Sequence, residues 1–140
     1  MWYHGPVSIE RINPGELGRP SGFSHAVSAT GGRLVFLAGQ TGYAPDGRIV
    51  DGGVVRQFEQ ALGNLLTALR AAGGEPGDLA SLTIYAVDLE EYRAHGREIG
   101  QAWQRLCGQD YPAMAAVGVS RLWDTDALVE VQGFAVVRAG

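Results

Sequence analysis

Lysine is absent from this chain of 140 residues, and all 11 of its basic side chains are arginines. That absence excludes a lysine Schiff base, a P-loop lysine that binds phosphates and a lysine general base. The chain has 15 acidic residues, a formal net charge of −4 and a pI near 5.3. It therefore lacks the basic stripe of a protein that follows nucleic acid phosphates, and we expect no nucleic-acid partner.

Cysteine, histidine and long apolar runs are also scarce. Cys107 is the single cysteine, which excludes an intrachain disulfide and fits a reducing compartment. The 3 histidines have no metal-ligand spacing, so the sequence predicts no metal and no other cofactor. No apolar run reaches the length of a membrane span, and residues 1–6 lack the features of a secretory signal. We expect a cytoplasmic protein with no membrane partner.

The composition and the pattern of apolar residues indicate one folded domain spanning residues 1–140, with 46% hydrophobic and 19% charged residues. The predicted strands and helices follow from alternating or helical spacing of apolar side chains. Strands are expected at 8–12, 23–30, 33–39, 79–87, 112–122 and 127–137, and helices at 54–72 and 88–107. Turn residues predict two hairpins, one through Gly31-Gly32 and one through residues 123–126.

The order β-β-β-α-β-α-β-β predicts an α/β fold in which one mixed sheet carries both helices on one face. The strands, however, have apolar side chains at both parities, as Leu34 and Phe36 do beside Val35 and Leu37. A second apolar sheet face requires a second partner. Association of the chain with itself is the simplest way to cover it.

Several short motifs are similar to those of one known family. They are Gly-Phe-Ser-His-Ala-Val at 22–27, Ala-Gly-Gln at 38–40, the helical stretch 57–65, Tyr-Pro-Ala at 111–113 and Val-Glu-Val at 129–131. Together they resemble the RidA/YjgF family, which also goes under L-PSP endoribonuclease and translation-inhibitor names. The resemblance implies a chorismate-mutase-like fold and a homotrimer with a central barrel. It also implies a small-molecule site in each cleft between subunits.

The resemblance further implies hydrolysis of imines and enamines, released by pyridoxal-phosphate enzymes, to 2-oxo acids and ammonia. In that family an arginine after the Pro-Ala pair holds the substrate carboxylate, and here this position is Met114. A methionine supplies no charge and forms a soft apolar wall. Four further family positions also differ: a tyrosine is replaced by Phe23, a serine by Ala38, an asparagine by a residue at or near Gly96, and a cysteine by Ala116. The family carboxylate is retained as Glu130.

Each candidate residue has a structural alternative. Glu130 either orients a catalytic water or pairs with an arginine at a subunit contact. Phe23 and Met114 either line a ligand site or fill the core. The resemblance places Ala38 and Ala116 in the same substrate-binding pocket.

The loop and histidine candidates are equally open. His25 either faces the cleft or is exposed, and Trp123 either lines the cleft mouth or packs in its turn. Arg19 is a possible replacement for the missing anion-binding group or a solvated side chain. Arg121 lies seven positions from Met114, on the opposite face of the predicted strand.

Four hypotheses about function follow. The first is a divergent family member that binds or hydrolyses a small, rather apolar metabolite in the inter-subunit cleft, with weak or absent imine deaminase activity. The second is an active 2-imino acid and enamine deaminase that uses a substitute anion-binding group. A ribonuclease or translation inhibitor is opposed by the net charge, and a purely structural trimer requires a silent Glu130. Enzyme and binding protein both remain open; an enzyme would be a hydrolase acting on C–N bonds.

Overall fold

A computed structural model describes residues 8–138, so the predictions made for His4 and for residues 1–6 lie outside the described residues. The strands are β1 (Ser8–Ile12), β2 (Ala26–Thr30), β3 (Arg33–Gln40), β4 (Leu79–Ala86), β5 (Ala113–Gly118) and β6 (Val129–Val137). The helices are α1 (Gly53–Ala71), α2 (Leu89–Ala94) and α3 (Gly96–Cys107). Short 3-10 turns at Gly15–Leu17 and Pro76–Asp78 complete the described secondary structure.

The main sheet is four-stranded and mixed, in the order β3-β6-β4-β5. Strand β6 lies antiparallel to both β3 and β4, and β4 pairs in parallel with β5. Helices α2 and α3 supply the long connection that a parallel pair requires. The predicted α/β class, the order of the elements and the mixed sheet with two main helices are confirmed.

The core lies between this sheet and the long helices. Helix α1 buries the predicted stripe of apolar side chains, which are Val54, Phe58, Ala61, Leu62, Leu65 and Leu69. Strand β4 alternates as predicted, with Leu82, Ile84 and Ala86 buried against the helices. Each large apolar side chain buried in this way contributes about 1.5–3 kcal/mol. Within residues 8–138, no helix combines the length and the hydropathy required to cross a membrane.

Both predicted hairpins are wrong. Strands β5 and β6 do not pair with each other, because β4 lies between them. Strand β2 begins only at Ala26 and pairs with β1 in a separate two-stranded sheet rather than with β3. Alternation of apolar residues identifies a strand and its two faces, but it does not identify the neighbouring strand. Strands β1 and β2 thus form a separate two-stranded pair outside the main mixed sheet.

The predicted helix 88–107 is divided into two. Asp88 caps its start as expected, since its carboxylate accepts a hydrogen bond from the Glu91 N–H at 3.1 Å. The helical conformation is interrupted at His95, whose backbone φ and ψ are −104° and 20°. Helix α3 then starts at Gly96. Trp103 of α3 belongs to the core, and Tyr92 of α2 packs against it.

Part of the main sheet's face opposite the helices is apolar and open. Leu34 and Phe36 on β3 are 57% and 71% exposed, on the face for which the sequence predicts a second partner. Phe36 packs edge-to-face on Phe134 of β6, with ring centroids 5.4 Å apart. A contiguous apolar face of this kind is typical of a surface that contacts another protein chain.

Candidate functional site

The register of β5 places Met114 and Ala116 on the helix side of the sheet. Met114 lies opposite Leu82 of β4, and Ala116 lies opposite Ile84. Leu82 and Ile84 are both buried beneath the helices. Because paired residues in neighbouring strands point to the same face, Met114 and Ala116 face the helices as well.

Met114 lines a cavity of about 200 Å³ between the sheet and helices α2 and α3. A second recess of about 180 Å³ shares the Met114 and Tyr92 side chains with it and continues to Phe23 and Ala116. The residues that line these two spaces, all in the described part of the chain, include no Asp, Glu, Arg or His. The site therefore offers a ligand apolar surface and neutral polar groups, but no charge that would bind a carboxylate.

The segment 21–23 lines the cavity and the second recess, and hydrogen bonds of the next residue, Ser24, hold it in place. Ser24 is 4% exposed, and its Oγ donates a hydrogen bond to the Tyr111 carbonyl at 2.7 Å. The Ser24 N–H donates to the Pro112 carbonyl at 3.0 Å. These two bonds position Phe23 at the edge of β5. Residues 22–25 are not part of a strand, so the predicted start of the strand at Phe23 is wrong.

Glu130 lies on the other face of the sheet. Its partner in β4 is Tyr85, which alternates with the buried Ile84 and so points away from the helices. Gly39 makes room for the carboxylate, since a Cβ built on Gly39 would lie 2.5 Å from the Glu130 Oε2 atom. Among residues 8–138, no basic side chain forms an ion pair with Glu130. The carboxylate is therefore not occupied by an intrachain arginine.

Polar contacts from α1 fix the two loops beside Glu130. Gln57, which is 5% exposed, donates to the Asp126 carbonyl at 3.2 Å and accepts from the Leu128 N–H at 2.7 Å. Asn64 donates to the carbonyls of Thr41 and Tyr43 at 3.1 and 3.0 Å. The loop after β3 and the loop before β6 are thus both held to α1 by side-chain hydrogen bonds.

Tyr43 connects these two loops through its side chain. The Tyr43 hydroxyl donates a hydrogen bond to the Asp124 carboxylate. This bond raises the pKa of Tyr43 above its ordinary value, and the nearby carboxylates act in the same direction. The phenol is consequently a proton donor, not a base, at neutral pH.

The structure brings together some of the expected site residues and separates others. Phe23, Met114 and Ala116 line one continuous space. Glu130 lies across the sheet from them, and Ala38 is exposed in β3 next to Gly39, where the pairing with β6 shifts register. Within one subunit, then, the residues of the expected pocket form two groups on opposite faces.

His25 and Trp123 lie at the margins. The His25 ring packs edge-on against Phe23 with centroids 5.1 Å apart, and its Nε2 lies 3.1 Å from the Gly18 carbonyl oxygen. The side chain is therefore close to the second recess but does not line it. Trp123 is 92% exposed in the loop before β6.

Neither candidate arginine lies in the cavity. Strand β5 ends at Gly118, so the prediction that Arg121 belongs to the same strand as Met114 is wrong, and parity does not fix its direction. Arg121 is exposed and donates to the neighbouring Leu122 carbonyl. Arg19 is exposed on the segment that leads to Ser21, and within residues 8–138 no ion pair involves it.

Cys107 does not line either space beside Met114. Burial raises the pKa of the Cys107 thiol to about 12, so almost no thiolate is present near neutral pH. In the part of the chain that the structure describes, no group of three His, Cys, Asp or Glu side chains is arranged to hold a metal ion. The absence of a metal remains a prediction.

Sequence reasoning missed the aromatic wall of the cavity. Tyr92 and Trp103 are recognisable as the apolar face of a helix, but the spacing of apolar residues does not distinguish a packed core from a cavity wall. The available signal is a pair of glycines, Gly96 and Gly100, four positions apart on that same face. Glycine within a helix is unfavourable by about 1 kcal/mol relative to alanine, so an interior position such as Gly100 requires an explanation.

The chain is similar to known proteins in both sequence and fold. The family model for endoribonuclease L-PSP matches residues 16–137. A RutC family protein of Pyrococcus horikoshii is 34% identical over 114 residues, which cover 81% of this chain and 85% of the relative. The 2-iminobutanoate/2-iminopropanoate deaminase of Mus musculus is 30% identical over 115 residues, covering 81% and 80% of the two chains.

Solved structures extend the similarity to the fold. The Rid family protein YyfB from Yersinia pestis superposes with a TM-score of 0.82 at 34% identity, covering 92% of this chain and 98% of its own. E. coli TdcF with bound serine has a TM-score of 0.66 at 28% identity, with coverage of 85% and 91%. The chain belongs to the endoribonuclease L-PSP family, also known as the RidA/YjgF family, as its motifs predict.

Proposed function

We propose that the protein is a divergent cytoplasmic member of its family that binds or hydrolyses a small, uncharged and rather apolar metabolite. Hydrolysis of 2-imino acids is weak or absent in this proposal. The observation that carries it is Met114, which lines a cavity without any charged side chain among the described residues. An apolar wall favours an uncharged ligand, because a carboxylate would lose its hydration there without gaining a cationic partner.

The working site is formed between subunits of a homotrimer. Met114 and Glu130 lie on opposite faces of one sheet, so a site that contains both requires a second copy of the chain. The exposed apolar side chains Leu34, Phe36 and Phe134 supply a surface for that association. The resemblance of the motifs to a family of trimers supports the same arrangement. The other partner is the small-molecule ligand, with no nucleic acid and no membrane.

Glu130 is the group best suited to chemistry at that site. It has no intrachain ion pair among residues 8–138, so its carboxylate is available to accept a proton from water or to orient it. The contact with Gly39 restricts where the carboxylate can lie. If the ligand is hydrolysed, the reaction is cleavage of a C–N bond with Glu130 positioning the water.

The absence of an arginine at position 114 lowers the expected affinity for a 2-imino acid. A charge-assisted hydrogen bond to a carboxylate contributes about 1.5–3 kcal/mol. Its loss corresponds to roughly a tenfold to hundredfold weaker interaction. Phe23, Ala38 and Ala116 offer no hydrogen-bonding side-chain group that would compensate.

An active 2-imino acid deaminase is the second candidate function. It is favoured by the position of Arg19, which is exposed two residues before Ser21, a residue that lines the cavity. In that case Arg19 provides the anion-binding group that position 114 lacks. A ribonuclease or translation inhibitor is disfavoured by the net charge of −4 and the absence of lysine.

A coupled assay separates these functions. A pyridoxal-phosphate dehydratase generates the imine, semicarbazide traps what survives, and the unaltered protein is compared with the variants Met114→Arg, Met114→Leu and Arg19→Gln. We expect little protection from the unaltered protein and from Met114→Leu, and at least about tenfold more from Met114→Arg. Protection by the unaltered protein that equals that of an arginine-bearing relative contradicts the proposal. If Arg19→Gln then abolishes it, the second function is correct.

A further inference from the structure

The inner part of the cavity has aromatic walls. Trp103 of α3 stacks on Tyr111 with ring centroids 5.9 Å apart and an interplanar angle of 20°. Tyr92 of α2 packs edge-on against Phe58 of α1 at 6.3 Å. All four rings line the same 200 Å³ space, as does Met114. Flat surfaces that meet at defined angles favour a flat ligand.

Two glycines of α3 leave this space unfilled. Gly96 and Gly100 both line the cavity, and a Cβ built on either one meets no heavy atom within 4 Å. Gly100 lies one turn before Trp103 inside the helix, where alanine is the better helix former. Glycine at position 100 therefore leaves part of the cavity empty, although the Cβ of a larger residue would fit there without a clash.

Two polar groups in the walls are neutral. Trp103 is 3% exposed, and its buried Nε1–H has no hydrogen-bond partner among the described residues. Burial raises the pKa of Tyr92 to about 12, so its hydroxyl stays protonated at neutral pH. The Trp103 Nε1 atom is itself shielded from the cavity. Tyr92 lines the cavity, and its neutral hydroxyl can donate a hydrogen bond to an oxygen acceptor of a ligand.

We propose that this cavity binds an uncharged, single-ring aromatic compound that carries a hydrogen-bond acceptor. The proposal rests on the proposed function, because Met114 borders both sites, and it specifies the ligand class. A cavity of about 150 Å³ lined by apolar side chains is large enough to bind benzene, so the size is suitable for one substituted ring. A ring bearing a carboxylate is excluded by the absence of a cationic side chain from the described lining residues.

Fluorine NMR of para-fluorophenol and para-fluorobenzoate, each titrated with the unaltered protein, tests the class of ligand. The two probes share the ring and differ in the charge of the substituent. We expect saturable binding of para-fluorophenol and binding of para-fluorobenzoate that is at least about tenfold weaker. Failure of para-fluorophenol to bind at millimolar concentration, or equal binding of the two probes, overturns the proposal.

The variant Gly100→Leu tests the location, because Gly100 lines the cavity and a Cβ built on it meets no heavy atom within 4 Å. Its matched control is Gly63→Leu, a glycine of α1 that also has nothing within 4 Å of its built Cβ and does not line this cavity. We expect Gly100→Leu to weaken binding of para-fluorophenol at least about tenfold and the control to leave it unchanged. If circular dichroism shows that Gly100→Leu is unfolded, Gly100→Ala replaces it, with an expected loss of about threefold. Undiminished binding in a folded variant refutes the location.

The outcome is distinguishable from that of the coupled imine assay. Failure of para-fluorophenol to bind, together with the expected gain of protection by Met114→Arg, refutes the ring-binding site and leaves the proposed function intact. Strong protection by the unaltered protein refutes the proposed function, and the response of para-fluorophenol to Gly100→Leu still decides whether the aromatic cavity is a binding site.

Discussion

Replacing Gln57 by alanine should destabilise the protein far more than replacing an exposed glutamine. The change removes two hydrogen bonds, to the Asp126 carbonyl and from the Leu128 N–H, and Gln57 is 5% exposed. One bond of this kind contributes about 1 kcal/mol, and leaving a shielded N–H unpaired adds about 1–3 kcal/mol. We therefore expect a loss of about 3 kcal/mol in the free energy of unfolding, or roughly 10 °C in Tm for a chain of this size.

Urea denaturation at a fixed protomer concentration measures this loss, because the stability of an oligomer depends on concentration. The control is Gln101→Ala, an exposed glutamine of α3 for which the described residues show no side-chain hydrogen bond. Its unfolding free energy should remain within about 0.5 kcal/mol of the unaltered protein. A Gln57→Ala variant that loses less than about 1 kcal/mol, with an unchanged dependence on urea, refutes the role of the Gln57 side chain.

The variant Gln57→Glu adds a pH test. A protonated glutamic acid at this position can still donate to Asp126 and accept from Leu128, whereas the carboxylate cannot donate. Burial raises the pKa of the new carboxyl in the folded state above its unfolded value. The folded state then binds the proton more tightly, so stability is lost as the pH rises through the folded pKa. The deficit relative to the unaltered protein should be larger at pH 8 than at pH 5.

Three further changes test other parts of the structure. Phe36→Asp places a charge on the open sheet face and should lower the mass measured by light scattering from that of a trimer to that of a monomer. The control, Leu17→Asp at another exposed residue, should leave the mass unchanged. A trimer retained by Phe36→Asp contradicts the assignment of this face. Gly39→Ala should move the Glu130 carboxylate by about 1 Å in a crystal structure. The unfolding free energy should stay within about 1 kcal/mol of that of the unaltered protein, because the carboxylate ends a flexible side chain. An unmoved carboxylate contradicts the close contact. Cys107, with its pKa near 12, should carry about a thousandfold less thiolate at pH 8 than a thiol of pKa 9. In the folded protein it should therefore react with disulfide reagents far more slowly than in the protein unfolded by urea. Equal rates in the two states contradict the burial of Cys107.

The helices and β4 were predictable from the sequence because each buries one regular stripe. The spacing of Val54, Phe58 and Leu62 fits the helix period, and the alternation of Leu82 and Ile84 fits a half-buried strand. Strand pairing was not predictable, since nothing in the sequence of β6 specifies that β4 rather than β5 lies beside it. Both predicted hairpins failed for this reason.

The sequence proposes the candidate site residues one by one but does not give their arrangement. The motifs identified Met114 and Glu130 individually, and the cleft inferred from them placed both in one pocket. Their separation follows from register, because Met114 pairs with Leu82 and Glu130 pairs with Tyr85, which face opposite sides of β4. Strand register depends on contacts between strands that are distant in sequence. The local pattern of apolar residues therefore does not predict it.

A crystal structure of the assembled protein with a ligand in the cleft tests the divergent site most directly. We predict a trimer in which an uncharged ligand contacts Met114 of one subunit, while Glu130 of the partner subunit reaches the same ligand. Apolar contact with Met114 and no arginine within hydrogen-bonding distance of the ligand would support the proposed function. A bound 2-oxo or 2-imino carboxylate held by two hydrogen bonds from an arginine, with Met114 remote from it, would contradict that function.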